Sequence, residues 1–158
     1  RQRTLQAAIE DLLVKERLDL PPQLRELDAR VEQVELSLRR TVSTALNGSP
    51  AALPSHVRQK IEERIEVAAQ KNPTFDAERY ETLSGKLEYS DLREIEAVIL
   101  NRSLWPSFQN RFGNKEAASH RFGQLAELRN GIRHSRTVDE VTRKEGEAAI
   151  LWFEQILA

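Results

Sequence analysis

Pro21-Pro22-Gln23-Leu24-Arg25-Glu26-Leu27-Asp28-Ala29-Arg30-Val31-Glu32-Gln33-Val34-Glu35-Leu36-Ser37-Leu38-Arg39-Arg40-Thr41-Val42-Ser43-Thr44-Ala45 reads as one long amphipathic helix. Leu24, Leu27, Val31, Val34, Leu38, Val42 and Ala45 recur at spacings of three and four, with Arg25, Glu26, Arg30, Glu32, Arg39 and Arg40 elsewhere around the cylinder. The prolines stop what precedes them and open this helix, and Asn47-Gly48 ends it. At ~1.5 Å per residue it extends on the order of 35 Å. The stripe is close to a heptad seam, which predicts pairing with another helix, including one from a second chain.

Helical patterns continue on both sides. Leu5, Ile9, Leu12 and Leu13 mark a face of an earlier helix, Thr4 to about Leu20. Beyond the small-residue linker Ser49 to Pro54, Ser55 is placed to cap a helix with Val57, Ile61, Ile65 and Ala68 inside, ended by Asn72-Pro73. A weaker helix is expected over Ala77 to Leu87. Ser90 is then placed to cap a stronger one with Leu92, Ile95, Val98 and Ile99. Trp105, Phe108 and Phe112 fill a corner of the core, and Gly113-Asn114 precedes a helix from Lys115 to Ser135 with Phe122, Leu125, Leu128 and Ile132 inward. Thr137 with Glu140 suggests a capping box, and the last helix is read with Val141, Ala148, Leu151, Trp152 and Ile156 closing the core. No strand alternation and no internal repeat accompanies them. The architecture expected is an all-α antiparallel helical bundle with an additional N-terminal helical arm, the arm over residues 1–30 and the bundle over 31–158.

Composition agrees with that class. The chain has 158 residues, 31% charged and 39% hydrophobic, with Gly and Pro at six each, the balance of a helical domain rather than a sandwich or a disordered tail. No cysteine is present, which excludes disulfides, thiolate catalysis and cysteine-held zinc or iron–sulfur sites. His56, His120 and His134 have no mutual spacing suited to a metal, so no metal and no cofactor are expected. No apolar run approaches the roughly 20 residues of a membrane span, and no cleavable apolar leader is visible, so a cytoplasmic protein without membrane contact is the expectation. The start at Arg1 suggests a segment of a larger, multidomain protein.

Net charge is only -1, yet Asn101 to Arg136 holds seven basic side chains against Glu116 and Glu127. A basic segment in an otherwise acidic chain points to an anionic partner, and phosphate is the obvious one. Its densest part is Leu125-Ala126-Glu127-Leu128-Arg129-Asn130-Gly131-Ile132-Arg133-His134-Ser135-Arg136, where an apolar-patterned helix gives way to arginines around one histidine. Arginine holds phosphate through two parallel hydrogen bonds, and imidazole titrates near pH ~6.5.

Arg129-Asn130-Gly131-Ile132-Arg133-His134 resembles the motif of the HEPN superfamily, an arginine and a histidine four to six residues apart late in a small helical bundle, commonly with a polar residue after the arginine. Tyr89-Ser90-Asp91-Leu92 is similar to the helix start that precedes the motif helix in HEPN modules attached to larger proteins. The resemblance covers Val31 to Ala158. It implies metal-independent endoribonuclease activity in a toxin, antiviral defence or RNA-processing protein: the RNA 2′-hydroxyl attacks its own phosphate and leaves a cyclic phosphate end. His134 would then be general base or acid, Arg129 the phosphate clamp, and Asn130 an orienting group. Arg121, Arg133, Arg136 and His120 extend the implied RNA-binding surface. Residues five apart on an α-helix diverge by roughly 140°, so Arg129 and His134 need not converge within one chain. The resemblance implies a homodimer with a composite cleft.

Plainer readings stand beside these. His134 suits a solvated helix end, and Arg129 could pair with Asp91 or Glu94. Glu62-Glu63 and Glu94-Glu96 carry no acid–base signature, while Trp105, Phe108, Phe112, Trp152 and Phe153 read as core rather than base-stacking platforms. The alternative functions are a HEPN-like module for RNA binding or dimerisation that does not cut, or an unrelated helical adaptor whose arginines bind an acidic protein.

Overall fold

The computed structural model describes Arg17 and residues 19–158, and among these the chain is all-α with no strand. Seven α-helices follow one another in this region: α1 (Pro22–Ala45), α2 (Ser55–Lys71), α3 (Leu83–Leu87), α4 (Leu92–Ile99), α5 (Gln109–Phe112), α6 (Lys115–Asn130) and α7 (Glu140–Ile156). A π-helical turn, Gly131–Ser135, prolongs α6, and 3₁₀ segments occur at Pro50–Ala52, Ala77–Glu81 and Trp105–Ser107. The helix expected over Thr4 to Leu20 lies almost wholly outside the described residues. No described helix is long and apolar enough to cross a membrane.

α1 forms as its sequence dictates. Pro22 opens it, and Asn47 at φ 54° and Gly48 at φ 67° close it, with the Gly48 N–H returning to the Ser43 carbonyl at 2.9 Å. Its seam residues Leu24, Leu27, Val31, Val34, Leu38 and Val42 are all buried, and α3, α4, α6 and α7 of the same chain pack around it. The seam is therefore filled internally and is not left for a helix of a second chain. Burying each such side chain contributes ~1.5–3 kcal/mol, which makes α1 the core's principal contributor. The helix also runs unbroken through residues 30 and 31.

Capping differs from expectation by a residue or two at three places. Asp91, rather than Ser90, caps α4 in a reciprocal box with Glu94, while the Ser90 hydroxyl donates to the Leu87 carbonyl. Asp139, rather than Thr137, caps α7 by accepting from Thr142. Ser55 is itself the first residue of α2, after Pro54, and makes no cap bond. Carboxylates win at the first two sites because an ionised acceptor makes the stronger bond to a helix N-terminus. The weak helix expected over Ala77 to Leu87 is two pieces, broken at Thr82, whose hydroxyl caps α3.

The largest departure is the register of α7. Gly146, Ala149, Ile150 and Phe153 face the core, whereas Val141 is 65% exposed, Leu151 52% exposed and Ala148 exposed. Trp152 and Ile156 are half-buried against the core. The cause is Gly146: a Cβ there would sit 2.6 Å from the Leu128 Cβ, so α6 and α7 meet backbone to side chain at a point only glycine permits. That contact rotates the second apolar stripe of α7 outward. Phe153 then meets Phe122 edge to face at 4.9 Å, and Phe108 and Phe112 are buried nearby, as a core reading of the aromatics predicts. Trp105 is only half-buried, with the Lys115 ammonium 5.7 Å from its ring centroid.

Candidate functional site

The basic run lies at the end of α6. Regular α-geometry stops at Asn130 and widens into the π-turn Gly131–Ser135, a distortion frequent at functional sites. Gly131 stands where the chain doubles back: an added Cβ would lie 3.1 Å from Val138 Cγ2, a tight fit that Val138 would have to give way to, and 3.5 Å from the Thr137 carbonyl oxygen. Arg136 ends the turn at φ 56°, a left-handed position that glycine or asparagine occupies at less cost. Strain held by an arginine is a reason to look for function at this point.

The turn divides the predicted residues between two clefts. The first, about 410 Å³, collects Arg129, Arg133 and Arg136 with Arg17 before α1 and Arg39 on α1. Its floor contains two buried carboxylates, Asp28 and Glu35, one heptad apart on α1. Arg129 donates Nε–H to Glu35 Oε1 at 2.7 Å, and Arg39 Nη2 lies 3.8 Å from the other Glu35 oxygen. Asp28 is bracketed in the same way, by Arg17 Nε at 2.9 Å and Arg133 Nε at 3.3 Å. Arg17 also pairs with Glu32. Each buried acid thus serves two guanidiniums, and Glu32, Glu88 and Asp91 bring further negative charge to the lining.

This network answers the structural question about Arg129: its carboxylate partner is Glu35, neither Asp91 nor Glu94. Glu94 is taken by Arg64, with Nη2 2.8 Å from Oε2. Arg39, expected on the outside of α1, is drawn in; its side chain is 20% exposed, its Nη2 donates to the Ser90 carbonyl at 3.1 Å, and its Nε is buried without a partner. Burial lowers the Arg39 pKa against the pull of Glu35, and Arg129 and Arg133 lower it further. Arg17 moves the other way, raised chiefly by its hydrogen bond to Asp28. Neither acid stands out from the apolar periodicity of α1. Their signal in the sequence is that Asp28 and Glu35 sit seven apart on the edge of the apolar seam, where an unpaired carboxylate is too costly to bury.

The second cleft, about 400 Å³, contains Asn130 and His134 with Glu127, Ser135, Thr137 and Asp139. His134 is exposed and makes no hydrogen bond or ion pair among the described residues, and Asp139 is already engaged with Thr142 through both oxygens. Asn130 and His134 are therefore together, and Arg129 is apart from both. His120 and Arg121 stand two turns or more back along α6, each bonded to Gln124, and line neither cleft. Among the described residues no group of three or more His, Cys, Asp or Glu side chains is arranged to hold a metal ion.

No family model matches the chain, and comparisons with curated proteins and with solved structures find no match.

Proposed function

We propose that this chain is a HEPN-type, metal-independent endoribonuclease module within a larger protein, active as a homodimer. The observation that carries the proposal is the convergence of Arg129, Arg133 and Arg136 from the motif run with Arg17 and Arg39 on one cleft. A guanidinium has five N–H donors, and Arg129 and Arg133 reach Glu35 and Asp28 through Nε–H, which leaves the forked terminal donors of these two for phosphate oxygens. Arg129 binds the scissile phosphate and the charge that develops on it, and His134 moves the proton of the 2′-hydroxyl or of the leaving oxygen. Since Arg129 and His134 open into different clefts of one chain, the reacting phosphate lies between Arg129 of one copy and His134 of another. Arg121 and His120 extend the strand-binding face along α6.

A second reading, a HEPN-like module that binds RNA or dimerises without cutting, is favoured by the Arg129–Glu35 pair, which neutralises the motif arginine. The two readings part in one experiment. The purified protein, with Arg129→Ala and His134→Ala variants, is incubated in EDTA with labelled transfer RNA and single-stranded RNA. Cleavage with cyclic phosphate ends, lost in both variants, supports the nuclease; salt-sensitive binding without cleavage by any of the three supports the binding module.

A further inference from the structure

The two buried acids of the arginine cleft are not served alike. Asp28 accepts hydrogen bonds from both of its cations, Arg17 at 2.9 Å and Arg133 at 3.3 Å. Glu35 accepts one, from Arg129 Nε at 2.7 Å, and its second cation stops short of bonding: Arg39 Nη2 stands 3.8 Å from Oε2. Arg39 is placed to close that gap. It follows Glu35 by one turn of α1, the favoured order for a carboxylate and a guanidinium on one helix face. Among the described residues its head group makes one hydrogen bond, from Nη2 to the Ser90 carbonyl at 3.1 Å, and its Nε is buried without a partner. Burial works most strongly against its charge, Glu35 offsets this, and Arg129 and Arg133 add to the cost. Arg39 is thus a buried cation with a carboxylate within reach and no hydrogen bond to it.

We propose that Arg39 is a positioning residue, a second seat for the Glu35 carboxylate: when an RNA phosphate arrives at Arg129, Glu35 passes to Arg39. The inference rests on the proposed function and gives it a way past the pair that neutralises the motif arginine. A shift of about 1 Å turns the 3.8 Å contact into a hydrogen bond. Arg129 then offers its Nε–H together with its terminal donors, a fork that fits two phosphate oxygens. The buried carboxylate keeps a cation throughout, which avoids the cost of stranding it. Asp28, already bonded on both sides, has no such seat to pass to.

Two measurements on the whole chain test it. The first is chemical denaturation of Arg129→Met, Arg39→Met and the double variant. The double loss should exceed the sum of the single losses, because only there is Glu35 buried without either cation. A double variant that fails to fold, and folds again with Glu35→Leu added, is the same result in its limit. The second is binding of single-stranded RNA carrying 2′-O-methyl groups, which has no hydroxyl to start cleavage, in EDTA at low salt. Arg39→Met should weaken binding about tenfold, and Arg39→Lys, which keeps a cation four residues from Glu35, by less than about threefold. Glu35→Gln added to Arg39→Met should restore affinity to within about threefold of Glu35→Gln alone. A purely structural role for Arg39, or its direct contact with RNA, gives no such rescue. A loss that persists in the Glu35→Gln background overturns the hand-over, as does wild-type affinity in Arg39→Met. Wild-type protein that binds no RNA overturns the proposed function and the hand-over with it, whereas additive stability losses with RNA binding intact overturn this inference alone.

Discussion

Arg129 on α6 and Glu35 on α1, 94 positions apart in the chain, share a 2.7 Å hydrogen bond at the floor of the arginine cleft. Glu35 is 5% exposed, so the pair is close to a buried one, and its two members are unequal. Removing the arginine leaves the buried Glu35 carboxylate with Arg39 alone, 3.8 Å away, whereas removing the carboxylate frees a guanidinium that can turn toward the cleft.

Arg129→Met is therefore expected to destabilise the fold by about 2–3 kcal/mol, and Glu35→Gln by about 1 kcal/mol. A double-mutant cycle by chemical denaturation should show that the Arg129→Met/Glu35→Leu protein recovers most of that loss. Additive losses would mean the two side chains are not coupled. In the proposed function, Glu35→Gln also removes phosphate's internal competitor, so RNA binding should tighten.

The division of Arg129 and His134 between clefts leads to a complementation result. Mixed in equal amounts, the inactive Arg129→Ala and His134→Ala proteins should regain about one quarter of wild-type RNA cleavage, because half of randomly paired dimers carry one intact composite site of two. Cleavage assays on the mixture decide this. No recovery, with mixed dimers demonstrated, would place both groups in one chain's site.

The outward stripe of α7 predicts that Val141→Lys and Leu151→Lys are tolerated within about 0.5 kcal/mol. Ile150→Ala on the buried face should cost about 2–4 kcal/mol, and Gly146→Leu at least as much, through the clash with Leu128. Melting curves of the four variants report the helix's register directly.

Acid should unfold the protein partly through Glu94. Burial pushes its carboxyl pKa up, but hydrogen bonds from Arg64 and the Asp91 backbone outweigh this and hold it below the ordinary range. A depressed folded pKa contributes stability above the unfolded value of about 4.3 that is lost as pH falls through the folded one. Stability measured from pH 6 to pH 2 should decline below about pH 4, and Glu94→Gln should flatten that decline while lowering stability at neutral pH.

Much of the fold is legible in the residues. The 3.6-residue apolar period marks α1, α2, α4 and α6, and Asn47-Gly48 closes α1 where a left-handed pair must. The caps fall on Asp91 and Asp139 rather than on Ser90 and Thr137 because the ionised acceptor bonds a helix N-terminus more strongly and the path of the incoming chain brings those carboxylates to it. Within the site, the sequence places the arginines and the histidine on one stretch. It does not show that a π-turn parts them.

By itself, then, the sequence determined the helical class, the helix that organises the core, and the segment where basic groups gather, because amphipathic period, capping chemistry and charge are properties of neighbouring residues. Only the tertiary structure decided which stripe of α7 is buried, that Asp28 and Glu35 are the arginines' counter-charges, and that Arg129 and His134 open into separate clefts. Those outcomes depend on how closely α6 approaches α7 at Gly146 and α1 at Glu35, distances between residues far apart in the chain that no local pattern encodes.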